Sequence, residues 1–334
     1  MKRKLYFAAC AAVALAACNE PLLTESEKAS ELVDINFSLY GGETKVTGTN
    51  DENYIYNFQI FVFDSKNVIE AYNHKKFVNQ IPLSTASTSV QCTPGTKTIV
   101  AIVNALEMPD VKSLDDLNSR TSYLSDNDVR KFHMSGLVSK EITAACDISI
   151  PVSRLAARIK IASVTNKMSV DYYKEMSFAI SDMYLINVVG STGYLSEKEP
   201  ELWYNMMKSG NNGSLCFMLE RNNSTSVMVK NEDTVNMESE HAYYTYPNST
   251  ETDSTDETWC ARYTRFVLEA RLGNELYYYP VSIPNIERNT AYEIHLTVTR
   301  PGSSSPDIPV DVETASITVN VVDWIDGEDI HETI

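Results

Sequence analysis

The sequence predicts an all-β protein built from antiparallel sandwiches. Three observations lead to this fold class. Apolar and polar residues alternate over many segments of strand length, polar segments rich in Gly, Asn, Ser and Thr separate them, and helical patterns are scarce. Many short strands joined by polar turns are typical of β-sandwiches.

The N-terminus carries a secretory signal that ends in a lipobox. Basic residues occupy positions 2–4, an apolar run covers positions 5–14, and Leu15-Ala16-Ala17-Cys18 follows. The apolar run is too short for a bilayer-spanning helix, which needs roughly 20 apolar residues. We therefore expect loss of residues 1–17, lipid (palmitate among the acyl chains) on Cys18, and a lipidated precursor at the cell outer membrane. The alternative is an ordinary signal peptide with a cysteine near its cleavage site.

Charge and length restrict the classes of protein that fit. The formal net charge is −17, and removing the three basic residues at positions 2–4 with the signal makes it −20 (−17 minus 3). Such a polyanion repels nucleic acid and anionic lipid, and the sequence has no basic stripe, so nucleic-acid binding is excluded. The 317 residues that follow the signal (334 minus 17) favour two domains over one.

The elements of the first half can be predicted in chain order. The first strand has apolar residues at every second position, namely Val33, Ile35, Phe37 and Leu39. Residues 54–64 are predicted to form a buried strand, and residues 98–104, nearly all apolar, a strand covered on both faces. Serine N-caps predict two short surface helices, over Ser113–Asn118 and Ser125–Ser135.

A second strand-rich block opens after Pro151, which places the domain boundary within residues 148–153. Its predicted strands include Phe178–Val188, Ser214–Leu219, Arg262–Ala270, Leu276–Ile283 and Tyr292–Thr299.

The last strand repeats the pattern of the first. Its apolar residues are again two positions apart: Ala315, Ile317, Val319 and Val321. The alternation slips by one residue at Val322, and Trp324 follows the new phase, which predicts a β-bulge. Because the period and the number of apolar residues match, either strand could fill the same hydrophobic groove. The simpler interpretation is that both are ordinary core strands of a monomeric sandwich.

The cysteine and histidine residues predict neither a metal site nor a cofactor site. Besides Cys18, four cysteines remain after the signal: Cys92, Cys146, Cys216 and Cys260. None belongs to a C-x-x-C pair, and the five histidines lack ligand spacing. Exported cysteines can pair, and four allow three connectivities. Four small buried side chains in strands are an equally good interpretation.

Three segments, together with the lipobox, carry a resemblance to a known family. The most specific is Ile286-Glu287-Arg288-Asn289 with the strand and the Pro301-Gly302 turn after it. The others are Ala157-Arg158-Ile159 and the closing Val321-Val322-Asp323-Trp324. Together they resemble the Bacteroidales fimbrillin (FimA-type) family, the type V pilins. A first strand that can be cut off and a C-terminal donor strand, both implied by this resemblance, favour a major (stalk) subunit.

The resemblance implies two antiparallel β-sandwich domains of transthyretin-like topology with short surface helices. These domains would cover residues 46–152 and 153–334, after a lipidated propeptide at 18–45. A trypsin-like surface protease would cut between Lys45 and Val46, although the best-known members have arginine at the first of these positions.

Loss of the first strand would open a groove for the donor strand of another subunit. The displaced residues would be Val33, Ile35, Phe37 and Leu39. The donor residues would be Ala315, Ile317, Val319, Val321 and Trp324. The expected function is that of a structural subunit of an extracellular fimbrium that supports adhesion, with other copies of itself and accessory fimbrial subunits as partners.

Two other functions compete with this expectation. An enzyme has little support, because the sequence contains no G-x-S-x-G elbow, H-E-x-x-H helix or P-loop, and no catalytic residue is predicted. A surface-anchored glycan-binding lipoprotein is the stronger alternative. Its binding surface would use aromatic residues beside an acidic loop: Tyr243, Tyr244, Tyr246 and Trp259. Core and edge packing is the preferred interpretation of the same aromatics, because buried Tyr and Trp with one polar end in water are common in sandwiches.

Overall fold

A computed structural model describes residues 32–41, 51–77, 85–207, 226–237, 242–254, 258–310 and 315–323. Four predicted site residues lie outside these ranges: Cys18, Lys45, Val46 and Trp324. The predicted strand at Ser214–Leu219 also lies outside them. Within these ranges, no helix is long and apolar enough to cross a bilayer.

The first half of the described chain is dominated by one large sheet. Its strands, in chain order, are β1 (Val33–Gly41), β2 (Asn57–Phe63), β3 (Ile69–Lys76), β4 (Thr85–Cys92), β5 (Gly95–Val103), β6 (Thr121–Tyr123), β7 (Met134–Ile142) and β8 (Cys146–Arg154). Seven of them form a sheet in the order β3-β2-β5-β7-β8-β1-β4. Side chains join its two outer strands, since Asn73 Nδ2 and Lys75 Nζ of β3 donate to the backbone oxygens of Ser89 and Ser87 of β4 at 3.0 and 3.1 Å. The sheet therefore curls so that its edges approach each other.

The second half forms two further sheets and some short pairs. Its strands are β9 (Ala157–Asn166), β10 (Phe178–Ile186), β11 (Val188–Val189), β12 (Ser191–Gly193), β13 (Trp203–Tyr204), β14 (Val227–Met228), β15 (Thr234–Asn236), β16 (Ala242–Thr245), β17 (Thr264–Leu272), β18 (Glu275–Ile283), β19 (Thr290–Val298) and β20 (Ala315–Asp323). One sheet has the order β15-β9-β19-β20, with β16 also paired to β9, and the other has the order β14-β10-β17-β18. The predicted all-β sandwich class is confirmed.

Strand β2, in the middle of the first sheet, is buried on both faces. Phe58, Ile60 and Val62 of β2 pack in one cluster with the apolar residues of β1. Phe61 and Phe63, on the other face of β2, join a larger cluster that includes residues of the second-half sheets. The five residues 99–103 of β5 are each 0% exposed, so the predicted double coverage of this strand is confirmed.

The helices are short, and one prediction is wrong. Helix α1 (Leu114–Ser119) begins as predicted, with Ser113 Oγ accepting from the Asp116 backbone N–H at 3.1 Å. A second helix, α2 (Asp171–Lys174), was not predicted. No α-helix forms over Ser125–Ser135; a 3-10 helix (Leu124–Asp126) covers only its first two residues, and its last two belong to β7. The Asn127 side chain instead holds the backbone there, because its Oδ1 accepts from the His133 N–H at 2.7 Å.

Two further expectations concern strand ends. The predicted boundary at residues 148–153 lies within β8, which pairs with β1 and, through Ser153 and Arg154, with β7. The division into two domains stays a prediction.

The predicted bulge at Val322 is wrong, because β20 pairs with β19 in unbroken register from Ala315 to Asp323.

Candidate strand-exchange site

Strand β1 fills a slot between two other strands. It runs antiparallel to β4, with Ile35 opposite Val90 and Leu39 opposite Ala86. It runs parallel to β8, with Ile35 opposite Cys146 and Leu39 opposite Ile150. Removing β1 would therefore leave backbone N–H and C=O groups of β4 and of β8 unpaired, with one empty strand position between the two strands.

The apolar residues of β1 are core residues. Ile35 and Leu39 are 0% exposed and Phe37 is 1% exposed, while Val33 is half-buried. The opposite face carries polar contacts to β8, because Asn36 Nδ2 donates to Asp147 Oδ1 at 2.8 Å and the Ser38 and Ser149 hydroxyls lie 2.9 Å apart. The predicted displaced residues thus share one buried face. Because β1 pairs with both β4 and β8, no other strand can occupy the slot while β1 is present.

An anchor holds the chain shortly after β1. Glu52 is 7% exposed, and its carboxylate pairs with Arg158 Nη1 at 3.0 Å and accepts from the Tyr244 hydroxyl. The Glu52 backbone oxygen accepts from Arg154 Nε at 3.2 Å, and Asn53 Oδ1 accepts from Arg154 Nη2. Residues from Glu52 onward are therefore tied to the body of the protein without help from β1.

Strand β20 lies at the edge of its sheet. Among the described residues its ladder partner is β19. Ala315 is 1% exposed, Val319 is half-buried against the large cluster, and Thr318 and Asn320 are exposed. Ile317 and Val321 occupy the predicted alternate positions in the register. The structure thus places the predicted displaced residues, in β1, and the predicted donor residues of β20 in different sheets.

A buried clamp holds the segment that precedes β20. Asp307 is 2% exposed, and its Oδ1 lies 2.5 Å from Nη1 of Arg265, which is 0% exposed. Arg262, also 0% exposed, places Nη1 3.6 Å from Asp307 Oδ2. Asp253 neutralises the other side of Arg265, with Oδ1 2.5 Å from Nη2. Two buried guanidinium groups are thus compensated by carboxylates, as burial of charge requires.

The turn before the clamp is also fixed. The Ser303 and Tyr278 backbones exchange two hydrogen bonds of 2.8 and 2.9 Å. A Cβ at Gly302 would lie 2.4 Å from the Tyr278 oxygen, so the Pro301-Gly302 turn needs glycine to approach β18 this closely. The chain is held through Asp307, which places any hinge for β20 after this residue.

A buried polar network stabilises the first half against the second. The Ser122 hydroxyl lies 2.7 Å from His133 Nδ1 and 2.6 Å from the Tyr246 hydroxyl, which also accepts from Asn127 Nδ2 at 2.8 Å. Burial and, as the smaller cause, the charge of Lys131 lower the pKa of His133 to about 4. The imidazole is therefore neutral at neutral pH.

The aromatic residues proposed for glycan binding are mostly buried. Tyr243, Tyr244 and Tyr246 are 1%, 4% and 0% exposed. Trp259 is half-buried, edge-on to Trp203 at 5.5 Å between ring centroids, with the Arg262 guanidinium 5.2 Å from its ring. Three of the four rings therefore pack in the core, as the simpler interpretation expected. In the described part of the chain, no group of three or more His, Cys, Asp or Glu side chains is placed to hold a metal ion.

Sequence reasoning missed the charged residues of the site. Glu52 lies in a polar run that resembles an exposed linker, and Asp307 lies in a Ser/Pro-rich loop. Their burial depends on arginines more than 40 residues away (Asp307 and Arg265 differ by 42 positions). Periodicity detects apolar faces within one segment, so it carries no signal for such pairs.

The comparisons with known proteins fit this arrangement. Residues 33–167 match the family model described as major fimbrial subunit protein (FimA). The predicted resemblance to the FimA-type fimbrillins is confirmed. The match includes β1, its two neighbours and the Ala157-Arg158-Ile159 segment. The motif at 286–302 and the closing strand lie outside the matched residues, so their likeness to this fimbrillin family stays an interpretation.

Solved structures share the fold over most of the chain. A candidate cell adhesion protein from Parabacteroides distasonis has 16% identity and a TM-score of 0.65, with 87% of this chain and 97% of that chain covered. A fimbrilin (FimA) from Porphyromonas gingivalis has 15% identity and a TM-score of 0.62, with 88% and 98% covered. The tip fimbrial protein Mfa3 from the same species has 14% identity and a TM-score of 0.54, with 88% and 100% covered. No curated protein matches the chain.

Proposed function

We propose that the chain is a structural subunit of a cell-surface fimbria that polymerises by donor-strand exchange and supports adhesion. One observation carries the proposal: β1 fills a slot between two ladders, whereas β20 is an edge strand with the same apolar alternation. The family match and the fimbrial proteins of the same fold support it. In this proposal, β20 of one subunit enters the slot that β1 of another has left.

The energy of the exchange comes from burial and backbone pairing. An empty slot exposes the core positions under Ile35, Phe37 and Leu39. Burying an apolar side chain there stabilises by roughly 1.5–3 kcal/mol before ordering costs. The two ladders add hydrogen bonds, as in donor-strand complementation generally. A strand with four alternating apolar residues, such as β20, satisfies both requirements.

Side-chain size explains why β1 must be cut away first. The four predicted donor residues within β20, namely Ala315, Ile317, Val319 and Val321, are all smaller than Phe37. Replacing a core phenylalanine by a smaller residue leaves a cavity that costs on the order of 1–4 kcal/mol. The tethered β1 therefore outcompetes a donor, and only its removal makes exchange favourable. Cleavage between Lys45 and Val46 separates β1 from the anchored Glu52 without disturbing the anchor.

The clamp at Asp307 sets the reach of the donor. Eight residue steps separate Asp307 from Ala315 (315 minus 307). An extended chain of this length spans at most about 29 Å. This is enough for β20 to leave its own sheet edge and reach a neighbouring subunit, while the body remains held by Arg265 and Arg262.

Export and anchoring complete the proposal. Residues 1–17 direct export, and lipid on Cys18 holds the precursor at the outer membrane until a trypsin-like protease cuts the chain. The partners are then other copies of the chain and accessory fimbrial subunits. Cys18→Ala should abolish labelling by a palmitate analogue in cells. Equal labelling of the variant and the wild-type chain would exclude lipid on this residue.

The cleavage step has a direct test. Trypsin-treated wild-type protein should form polymers visible by electron microscopy, and N-terminal sequencing of the polymer should begin at Val46. Lys45→Gln should block both the cut and the polymer. Lys66→Gln, at an exposed lysine in the β2–β3 turn, is the matched control and should behave as wild type. A polymer whose subunits retain residues 33–41 would refute strand removal.

A further inference from the structure

Two thiols lie on opposite sides of β1. Cys92 is the last residue of β4 and pairs with Val33, and Cys146 is the first residue of β8 and pairs with Ile35. Cys92 is 0% exposed, and the half-buried Cys146 packs on the same apolar cluster. Both side chains therefore point to the core face of the sheet, with β1 between them.

The presence of β1 keeps the two thiols apart. Neighbouring strands lie about 4.8 Å apart, so β4 and β8 are separated by about 10 Å, and the two-residue offset along β1 adds to this. A disulfide needs Cα atoms within about 7 Å. No disulfide joins Cys92 or Cys146 in the described residues, as this geometry requires.

Removing β1 changes the relation between its neighbours. Since β1 is antiparallel to β4 and parallel to β8, these two strands are antiparallel to each other and can form a ladder directly. Closing the slot without a slip would place Cys146 opposite Val90, with Cys92 as its diagonal neighbour. A slip of two residues would place the thiols opposite each other. Because side chains alternate with period two, this slip keeps both on the core face.

We infer that Cys92 and Cys146 form a thiol pair that is oxidised to a disulfide only when the slot between β4 and β8 is empty. This inference rests on the proposed loss of β1. The disulfide joins the walls of the slot and blocks a donor strand, so a subunit that loses β1 without receiving a donor is withdrawn from assembly. Reduction reopens the slot.

The oxidant is a low-molecular-weight disulfide, and the exchange balances in two steps. The Cys146 thiolate attacks one sulfur of the oxidant, forming a mixed disulfide and releasing one small thiolate. The Cys92 thiol then loses its proton to water and attacks the Cys146 sulfur, releasing the second small thiolate. Two electrons pass from the protein thiols to the oxidant, which is reduced to two thiols.

The order of these steps follows from exposure. With β1 in place, Cys146 is half-buried, whereas Cys92 is 0% exposed. Burial raises the pKa of the Cys92 thiol, and the Glu70 carboxylate raises it further. The more accessible Cys146 thus reacts first, and Cys92 resolves the mixed disulfide once the slot is open.

Oxidised glutathione provides the test. The precursor and the trypsin-cut chain, freed of the β1 fragment by gel filtration, are each incubated with it, and peptide mass mapping measures the Cys92–Cys146 link. We expect at least tenfold more link in the β1-free chain. A synthetic peptide of residues 33–41, added before the oxidant, should return the link to the level of the precursor. Cys216→Ser and Cys260→Ser remove competing thiols from all samples.

Polymer yield is the second readout. Oxidation of the β1-free chain should lower the yield at least tenfold and a reductant should restore it, whereas Cys92→Ser should polymerise equally with and without oxidant. An equally abundant link in the precursor or the peptide-filled chain overturns the inference, as does absence of the link from the β1-free chain. If cutting does not release β1, the proposed function fails at the step of strand removal. The inference then expects both thiols to stay reduced, and a Cys92–Cys146 link in that chain overturns it.

Discussion

Strands β1 and β20 have the same apolar alternation but very different positions in the fold. β1 pairs on both sides and buries Ile35, Phe37 and Leu39 almost completely. In the described residues β20 pairs on one side, and its central residue Val319 is half-buried. A strand with two ladder partners is held by more backbone hydrogen bonds than a strand that has one partner at a sheet edge. In the proposed exchange, this difference suits β1 to be the displaced strand and β20 to be the donor.

The largest effect is expected for a charge in the β1 slot. Phe37→Asp removes a buried aromatic ring and places an unpaired carboxylate in the apolar cluster, which should lower the free energy of unfolding of the precursor by more than about 4 kcal/mol. Ser38→Asp, on the exposed face of the same strand, should cost little. Urea unfolding of both variants measures the difference. Similar losses in the two variants would mean that β1 is not a two-sided core strand.

The clamp before β20 should contribute almost as much. Asp307→Asn removes the carboxylate that compensates two buried guanidinium groups, and breaking such a pair costs about 3–5 kcal/mol. Asp171→Asn, which disrupts an exposed pair with Lys174, should leave stability unchanged. Amide exchange should also become faster in β20 than in β1, because the loosened segment leads only to β20. Equal acceleration in both strands would argue against a hinge after Asp307.

Lowering the pH should decrease the free energy of unfolding of the protein. The His133 pKa is about 4 in the folded protein, whereas the ordinary pKa of histidine is about 6.5. Below pH 6.5 the unfolded chain therefore binds more protons than the folded protein. Stability should therefore fall as pH drops from about 6.5 to about 4, by on the order of 3 kcal/mol. Since carboxylates also titrate at the lower end, the measurement is the difference between wild type and His133→Asn in urea unfolding across this window. Parallel pH curves for the two proteins would contradict this assignment.

The smallest effect on the monomer is expected for β20 itself. Val319→Asp disturbs one half-buried side chain at a sheet edge, which should cost about 1–2 kcal/mol and leave the monomer folded by circular dichroism. In the polymer the same residue would be fully buried, so the yield of polymer should fall to background. Thr318→Asp, on the exposed face, should polymerise as wild type does. If both variants polymerise equally, β20 is not the donor.

Much of the fold could be predicted because local pattern and burial agree. Alternation located β1 and β20, and the apolar run at 98–104 predicted a strand covered on both faces. The Ser113 N-cap predicted α1, because its hydrogen bond to Asp116 is local. The helix expected over Ser125–Ser135 had similar local signals, but Asn127 bonds to Tyr246, 119 positions along the chain, and the His133 ring contacts Ser122. These tertiary contacts outweigh helix propensity.

The sequence alone determined which segments can be strands and which face of each strand is apolar, because side chains alternate with period two whatever the neighbours are. Only the tertiary structure decided which strands are neighbours. It placed β1 between β4 and β8, left β20 at an edge, brought Cys92 and Cys146 to the two walls of one slot, and buried Asp307 against Arg265. These relations join residues far apart in the chain, and the free energy that selects them comes from burial and charge compensation across the whole fold.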